Sequence, residues 1–382
     1  MVNKTIREFI MKKIDVITLH RVKNYGSALQ TYATQKIIKR LGYDCEIIDY
    51  YRKGQKESEV LEYAINGSHI FKKNMITRQM GKIFLGASIK KQIKIYNDFY
   101  SKNVKLTKKK YYSLEELKND VPEADVYCTG SDQVWNSDWN KGIDKAFFLD
   151  FVPNGKRKVA YAASFGKEQL DNFEIDETKQ LLSKYDCIGV RESSAKRIIE
   201  DLNISKKVEH VLDPTLLCSK EDWMELKVDI PHKDKYILVY QLNSRNKKFD
   251  RYVKELSKYK KLPIIRVSNV GYQKYKYGKF VNCPTVEEFI SYFINASYIV
   301  TDSFHATAYA INLNKQFIDI FPPKFGTRLQ SILDLTNLQS RKVIDFNNFE
   351  LIDEKIDYAK VNEILESERE KSLNFLKNAI EE

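Results

Sequence analysis

Short hydrophobic runs alternate with amphipathic helical segments along most of the chain. Residues 14–19 (IDVITL) and 45–50 (CEIIDY) are apolar runs, and the segment 27–42 between them has its apolar residues at helical spacing. A strand, a crossover helix and a second strand form a βαβ unit with parallel strands. Gly42 follows the helix where a left-handed residue is favoured. The pattern predicts an α/β fold.

Further apolar runs predict two series of buried strands. In the first half they lie at 125–130, 157–166 and 186–191, and the second series starts near residue 210 and continues at 236–242, 262–268, 297–302 and 316–321. A chain of 382 residues exceeds the usual size of one core. We therefore expect two domains with a cleft between them, at residues 11–207 and 208–358, followed by a helix at 359–382.

A lysine-rich helical segment, residues 51–115, interrupts the first domain. Its apolar residues between 70 and 100 recur at spacings of three and four. Two interpretations fit this segment. It is a helical insertion that covers the sheet, or it presents a basic face to anionic lipid or polymer.

The net charge of +12 suggests a polyanionic partner. The lysines are spread along the chain without a nucleic-acid-binding motif, so nucleic acid is not an expected partner. The five cysteines and five histidines are scattered, which predicts neither a metal site nor another cofactor.

No segment reaches the roughly 18 apolar residues that span a bilayer, and no secretory signal is evident. We expect a cytoplasmic protein, with peripheral contact at the inner membrane face as an option. Residues 1–10 precede Met11 and a strand-like run. They are interpreted as a leader of little structural weight or as the result of an upstream start codon.

The segment VTDSFHATAYA (300–310) joins a buried strand to a helix through polar residues. Asp302 or Ser303 is expected to cap that helix. Free N–H groups in the first turn, with the helix dipole, favour an anion. His305 is expected at the mouth of this site, although a lone histidine also fits a structural role.

Arg191 follows the predicted strand at 186–190 and opens a helical segment. Its guanidinium fork matches a carboxylate or a phosphate. The alternative is an ion pair with Glu192 or with another local acid.

Two loops complete the candidate site. In GSDQVWN (130–136), the side chains of Asp132, Gln133 and Asn136 suit sugar hydroxyls and Trp135 offers a ring face. The same side chains also fit a purely structural loop. In the first strand-to-helix connection, Asn24 and Gly26 are candidate cleft residues, because a glycine before a helix weakly resembles a phosphate loop; the GxGxxG spacing is missing.

Motifs of other enzyme classes are missing from the sequence. It contains no GxSxG, GxxxxGK[ST] or HExxH segment. Serine hydrolases with a nucleophile elbow, P-loop enzymes and zinc proteases therefore lose support.

Seven segments in chain order resemble the polysaccharide pyruvyl transferase family, and the resemblance extends from Met11 to about Arg341. The segments are KNYGSALQTYA, GSDQVWN, FFLDFVP, AYAASFG, GVRESSA, VLDPTLL and TDSFHATAYA. The resemblance implies two Rossmann-like domains facing across a cleft, as in GT-B glycosyltransferases. Fold analogy also suggests that the helix at 359–382 packs back on the first domain.

The resemblance further implies phosphoenolpyruvate as donor and a sugar of a surface polysaccharide, or its lipid-linked precursor, as acceptor. The products would be a cyclic ketal and phosphate. The matching donor-binding positions are Arg191, Ser303, Phe304 and His305. His305 is the candidate acid and Arg191 the second catalytic residue. Some members carry an arginine in place of Ser303, so this chain has one cation fewer at that position.

Two alternatives remain. One is a GT-B glycosyltransferase that uses a nucleotide sugar, because a fold does not decide the donor. The other is a non-catalytic glycan- or anion-binding relative.

Overall fold

The computed structural model describes residues 11–243, 246–322 and 326–382, except for the side chain of Tyr272. Residues 1–10, interpreted above as a leader, lie outside the described residues. The chain forms two lobes, each built on a parallel sheet with helices packed against it.

The first sheet has seven strands in the order β3-β2-β1-β4-β5-β6-β7. Their bounds are β1 Lys13–Ile17, β2 Asp44–Tyr50, β3 Leu106–Tyr111, β4 Val126–Thr129, β5 Arg157–Ala163, β6 Cys187–Val190 and β7 Val208–His210. The helices of this lobe are α1 Tyr25–Arg40, α2 Val60–Gly67, α3 Met75–Asn103, α4 Leu114–Asn119, α5 Ser137–Asn140, α6 Ile175–Leu182 and α7 Ser193–Asp201.

The second sheet has five strands in the order β10-β9-β8-β11-β12. They are β8 Ile237–Tyr240, β9 Ile264–Ser268, β10 Lys279–Asn282, β11 Tyr298–Thr301 and β12 Gln316–Asp319. Two short helices, α8 Pro214–Leu217 and α9 Lys220–Met224, lead into this lobe. Its other helices are α10 Lys247–Lys260, α11 Val286–Asn295, α12 Phe304–Asn312 and α13 Thr327–Leu335, and the helix α14 Tyr358–Glu381 follows them.

The central strands are apolar on both faces because helices cover both sides of a parallel sheet. In β1, Ile14 pairs with Cys45 of β2 and with Val126 of β4, and all three are buried. Residues that follow the central strands therefore gather at the carboxyl edge of each sheet, where ligands bind in such folds.

Two boundaries differ from the sequence-based expectation. The predicted helical insertion at 51–115 contains the strand β3, which pairs in parallel with β2. Its sequence LTKKKY hides a strand because β3 is an edge strand with three exposed lysines, a common protection of sheet edges. The strand β7 pairs with β6, so the predicted domain boundary between 207 and 208 falls before the last strand of the first sheet.

The lobes share a continuous core around α1. The ring of Tyr25 stacks on Phe289 of α11 with 4.2 Å between centroids, and its hydroxyl donates to the carbonyl of Pro284 at 2.8 Å. The helix α14 returns to the first lobe, where Ser372 accepts from the backbone N–H of Leu212 at 2.9 Å. These contacts fix the relative position of the two carboxyl edges.

Candidate active site between the two lobes

Charged side chains from both lobes meet where the carboxyl edges face each other. Arg191 directly follows β6, Asp213 follows β7 and Asp132 lies in the loop after β4. His305 enters from the second lobe, in the first turn of α12 after β11. All four are buried. The topology thus brings together residues that are up to 173 positions apart in the sequence.

Arg191 is held by acidic groups of the first lobe. Its Nη1 donates to Oδ2 of Asp213 at 2.8 Å, and its Nη2 lies 3.5 Å from Oδ1 of Asp132. The guanidinium also sits 4.6 Å above the ring of Phe304. Glu192, the partner considered from sequence, is farther away, with Oε2 at 3.8 Å from Nε. Its other oxygen accepts from Ser164 and from the backbone of Gly166.

Asp213 contacts several members of this cluster, and it is not among the site residues expected from the sequence. Its Oδ2 accepts from Arg191 and from Ser131 Oγ at 2.7 Å, while Oδ1 caps α8 through Thr215. Burial alone would raise its pKa, but the charge of Arg191, the protonated form of His305 and these hydrogen bonds outweigh burial and lower the pKa. The sequence does contain one signal for this residue: Asp213 and Pro214 follow a strand, and an aspartate before a proline is typical of the start of a helix.

Asp132 is likewise held ionised. Its Oδ2 accepts from Ser27 Oγ at 2.5 Å. Burial would raise the pKa of Asp132, but the protonated form of His305, the charge of Arg191 and the Ser27 hydrogen bond hold it at about 2. Its backbone has φ of 81°, in the left-handed region that non-glycine residues rarely adopt. Such strain is often retained at functional sites.

His305 faces both carboxylates. Its Nε2 lies 3.9 Å from Oδ2 of Asp213 and has no hydrogen-bond partner among the described residues. Burial lowers the pKa of His305, the nearby Arg191 and Arg328 lower it further, and Asp213 and Asp132 offset this only in part. The imidazole is therefore neutral at neutral pH in the ligand-free site.

Gly26 provides the space for this imidazole. A β-carbon on Gly26 would lie 2.3 Å from His305 Nδ1. The glycine lies inside the first turn of α1, whose N-cap is Asn24; the Asn24 side chain accepts from the backbone N–H of Gly26 at 2.8 Å. In this structure, the glycine found in the sequence therefore makes room for a side chain of the other lobe.

Arg328 is a second cation that sequence reasoning missed. It is the second residue of α13, and its Nε is buried without a hydrogen-bond partner among the described residues. Burial and the charge of Arg191 lower the pKa of Arg328 to about 10. Asp132 and other acids raise this pKa, but their effect is smaller. Nη1 and Nη2 each lie 3.3 Å from the Gln133 amide when its oxygen is oriented toward them. No recognisable motif surrounds Arg328 in the sequence.

Several nitrogens in this cluster have no hydrogen-bond acceptor among the described residues, although some lie within ion-pair distance of a carboxylate. They are Nε and Nη2 of Arg191, Nε of Arg328 and Nε2 of His305. A buried donor without an acceptor is unfavourable. Two guanidinium groups and an imidazole with free N–H capacity form a site suited to a small polyanion.

A cleft of about 670 Å³ opens next to the cluster. From the first lobe it is lined by Gly166, Lys167 and Arg197, and from the second by Thr327 and Ser331. Both of these C-terminal residues flank Arg328 in α13. The cleft is large enough for a sugar acceptor beside the cation cluster.

The loop residues predicted from sequence divide into two groups. Asp132 and Gln133 face the cation cluster. Trp135 lies in the core, where its Nε1 donates to the carbonyl of Phe147 and its ring stacks on Phe148. Asn136 is buried and caps α5. The ring face of Trp135 is thus covered by protein.

The start of α12 also differs from the expectation. Ser303 occupies the N-cap position but makes no side-chain cap hydrogen bond. Asp302 does not cap the helix either, since its carboxylate accepts from the backbone N–H groups of Leu242 and Asn243 at 2.6 and 2.8 Å. The first turn of α12 therefore lacks a side-chain cap, and Asp302 instead ties β11 to the end of β8.

Within the described ranges, no group of three or more histidine, cysteine, aspartate or glutamate side chains is arranged to hold a metal ion. No helix in the same ranges has the length and apolar character needed to cross a membrane.

Comparisons with known proteins agree with this architecture. A family model described as polysaccharide pyruvyl transferase matches residues 24–321. A search of curated proteins gave no match. An S. aureus MnaA-UDP co-structure is 13% identical, with a TM-score of 0.51 over 96% of this chain and 91% of that chain. An E. coli trehalose-6-phosphate structure bound with UDP-2-fluoro glucose is 8% identical, with a TM-score of 0.52 over 97% and 99%. These likenesses establish the fold, two Rossmann-like domains of the GT-B type.

Proposed function

The chain belongs to the polysaccharide pyruvyl transferase family, and we propose that it transfers a pyruvyl group from phosphoenolpyruvate to two hydroxyls of one sugar. The products are a cyclic ketal and phosphate. The acceptor belongs to a surface polysaccharide or to its lipid-linked precursor. The alternative donor, a nucleotide sugar, serves below as the competing ligand.

The observation that carries the proposal is the pairing of Arg191 and Arg328 around His305. Phosphoenolpyruvate carries a carboxylate and a phosphate, and each matches one guanidinium fork. The unpartnered N–H groups of both arginines supply the hydrogen bonds. Arg328 thereby provides the second cation that Ser303 cannot provide from α12.

The reaction needs a proton at the methylene carbon of the donor. His305 delivers that proton from Nε2, and the C2 carbon becomes oxocarbenium-like. The first sugar hydroxyl then adds to C2 and gives its proton back to the imidazole. Loss of phosphate breaks the bond between C2 and its bridging oxygen, the second hydroxyl closes the ketal, and its proton leaves with phosphate.

The electrostatics of the site fit this order of reaction steps. The free site keeps His305 neutral, because burial and two guanidinium groups disfavour its charged form. A bound trianion neutralises those guanidinium charges and raises the pKa of the imidazole. The acid is therefore loaded with a proton only when the donor is present. General acid catalysis of this kind contributes roughly 10²–10⁴-fold in rate.

The donor enters from the cleft. A small cavity of about 10 Å³, roughly room for one water, adjoins Arg191, Asp213 and Phe304. Because Arg191 and His305 are buried, we expect phosphoenolpyruvate binding to shift Arg328 and the cleft wall relative to Arg191, as in other two-lobed enzymes that move on ligand binding.

Thermal denaturation with different ligands tests the proposal. A ligand that binds only the native state raises the melting temperature. We expect phosphoenolpyruvate to raise it for the native chain and to do so much less for Arg191→Lys, which keeps a charge beside Asp213 but loses the fork. UDP and UDP-sugars should have no effect. Stabilisation by nucleotides alone would overturn the proposal in favour of a glycosyltransferase.

A further inference from the structure

The hairpin of α2 and α3 carries an unusual combination of charge and exposed apolar surface. Between residues 63 and 97 the sequence has seven lysine and arginine residues and no aspartate or glutamate. In the same stretch Met75, Ile76, Ile83 and Phe84 are 85%, 74%, 68% and 66% exposed. An exposed apolar patch of this kind indicates an interaction surface.

These apolar side chains share one side of α3. Their spacings of one, seven, eight and nine residues place them within half of the helix circumference. Arg78 and Lys82 lie outside this half of the helix, and both pair with Glu62 of α2. The apolar side of α3 therefore faces away from its partner helix.

Only the end of α3 is anchored in the body of the protein. Its buried side chains Ile95, Tyr96, Phe99 and Tyr100 lie in the last third, whereas Gly81 is the one buried position before them. At Gln92 the helix also meets the second lobe, through the carbonyl of Asn269. The part from Met75 to about Lys90 packs chiefly on α2 and leaves its apolar side open.

Lysines border this apolar side. Lys72 and Lys73 precede α3, and Lys90 lies six residues beyond Phe84 in the same helix. All three are exposed, and their side chains make no ion pair with any residue in the described ranges. Exposed apolar side chains surrounded by unpaired lysines are complementary to the headgroups and acyl boundary of an anionic bilayer.

We propose that the α2–α3 hairpin docks the protein on an anionic lipid bilayer. Phe84, Ile83 and Ile76 insert at the headgroup boundary, while Lys72, Lys73 and Lys90 contact lipid phosphates. This binding does not depend on the pyruvyl transfer reaction. It holds the cleft close to a membrane surface, where a lipid-linked acceptor is located.

Vesicle co-sedimentation tests the docking surface with the full chain. The vesicles consist of phosphatidylcholine alone or of an equimolar mixture with phosphatidylglycerol. We expect binding to the mixed vesicles only, and weaker binding as salt rises. Equal binding to both vesicles, or to neither, overturns the proposal.

Matched variants separate the hairpin from the rest of the surface. Lys72→Gln with Lys73→Gln should weaken binding about 25-fold, from about 1 kcal/mol per surface lysine. Ile83→Ser with Phe84→Ser should weaken it roughly tenfold or more. Two double variants serve as controls, because they change exposed residues outside the hairpin. They are Lys233→Gln with Lys254→Gln, and Phe173→Ser with Ile344→Ser. Both should bind the vesicles as the native chain does.

Size-exclusion chromatography without lipid tests whether the apolar side of α3 binds a second copy of the chain instead of a bilayer. The proposal expects the same mass for the native chain and the Ile83→Ser, Phe84→Ser variant. A native dimer that this variant dissociates would overturn it in favour of a protein interface. Turnover with a water-soluble sugar acceptor should be unchanged in all hairpin variants, which separates this test from that of the proposed reaction.

Discussion

The imidazole of His305 lies against the α-carbon of Gly26, so close that a β-carbon there would come within 2.3 Å of Nδ1 and 2.5 Å of Cγ. Gly26 belongs to the first lobe and His305 to the second. The position of the proposed acid therefore depends on how the two lobes are seated on each other. A methyl group at residue 26 must move the imidazole, the lobe, or both.

We expect Gly26→Ala to lower kcat about 10²-fold, since a misplacement of about 1 Å at a reacting group has effects of that size. Phosphoenolpyruvate should still bind, because both arginines remain. Steady-state kinetics and donor titration measure the two effects. Gly67→Ala is the control, since a β-carbon at Gly67 meets no atom within 4 Å. Equal kcat in both variants would contradict the role assigned to the Gly26 contact.

Arg328→Gln should weaken the donor complex and leave the fold intact. Loss of charged hydrogen bonds is expected to lower kcat/KM for phosphoenolpyruvate roughly 10–100-fold. The melting temperature should stay the same or rise, because the pKa of Arg328 is lowered to about 10 by burial and by Arg191, so folding disfavours its charged form.

Arg197→Gln serves as the control for Arg328. Arg197 lines the same cleft but makes no hydrogen bond or ion pair with the cluster around His305 in the part of the chain that the structure describes. We expect little change in its kinetics with the donor. If Arg328→Gln unfolds the protein while donor affinity per folded molecule is unchanged, Arg328 is structural and not a donor ligand.

Asp213→Asn should destabilise the protein by about 3–5 kcal/mol, as expected when a buried charge loses its partner. Arg191 would keep its charge, while the carboxylate that accepts at 2.8 Å would become an uncharged amide. Urea unfolding measures the difference. The exposed pair of Lys94 and Asp98 provides the comparison, and Asp98→Asn should cost less than about 1 kcal/mol. Similar values for both variants would refute the assignment of Asp213 as the buried anchor of Arg191.

Periodicity was sufficient to predict the α/β class and the central strands, because apolar runs such as residues 14–19 belong to strands buried on both faces. Periodicity did not predict β3, because a strand at the edge of a sheet can be rich in exposed lysines and then lacks an apolar run. The boundary at 207/208 was misplaced because β7 is only three residues long. The hydrophobic pattern of a segment therefore predicts a strand well when the strand is buried along its whole length.

The site was predictable only where a residue follows a strand. Arg191, Asp132 and His305 satisfy that rule, and the structure brings them together. Trp135 satisfies it too, yet it lies in the core, whereas Trp139 four residues later is 57% exposed; the sequence does not distinguish the two indoles. Arg328 belongs to a helix that approaches the cluster through tertiary packing, so its proximity to Arg191 has no local signature.

The titration of His305 gives the sharpest test of the proposed acid. In the free protein its pKa lies below 6.5, lowered by burial and by the two arginines, so the imidazole is neutral at pH 7.5. Bound phosphoenolpyruvate should raise that pKa, and binding should then take up a proton. At this pH the donor phosphate, with a second pKa of about 6, is itself ionised. Calorimetry in buffers of different ionisation enthalpy measures the uptake.

His305→Gln should bind the donor without that proton uptake and should show no turnover. For the native chain, kcat should fall as pH rises through the pKa of the complex, because the protonated imidazole is the acid. The pKa of the complex should lie above that of the free protein, which an NMR titration of the His305 imidazole protons measures. Proton uptake that persists in His305→Gln, or a kcat that rises with pH over this range, would assign the proton to another group.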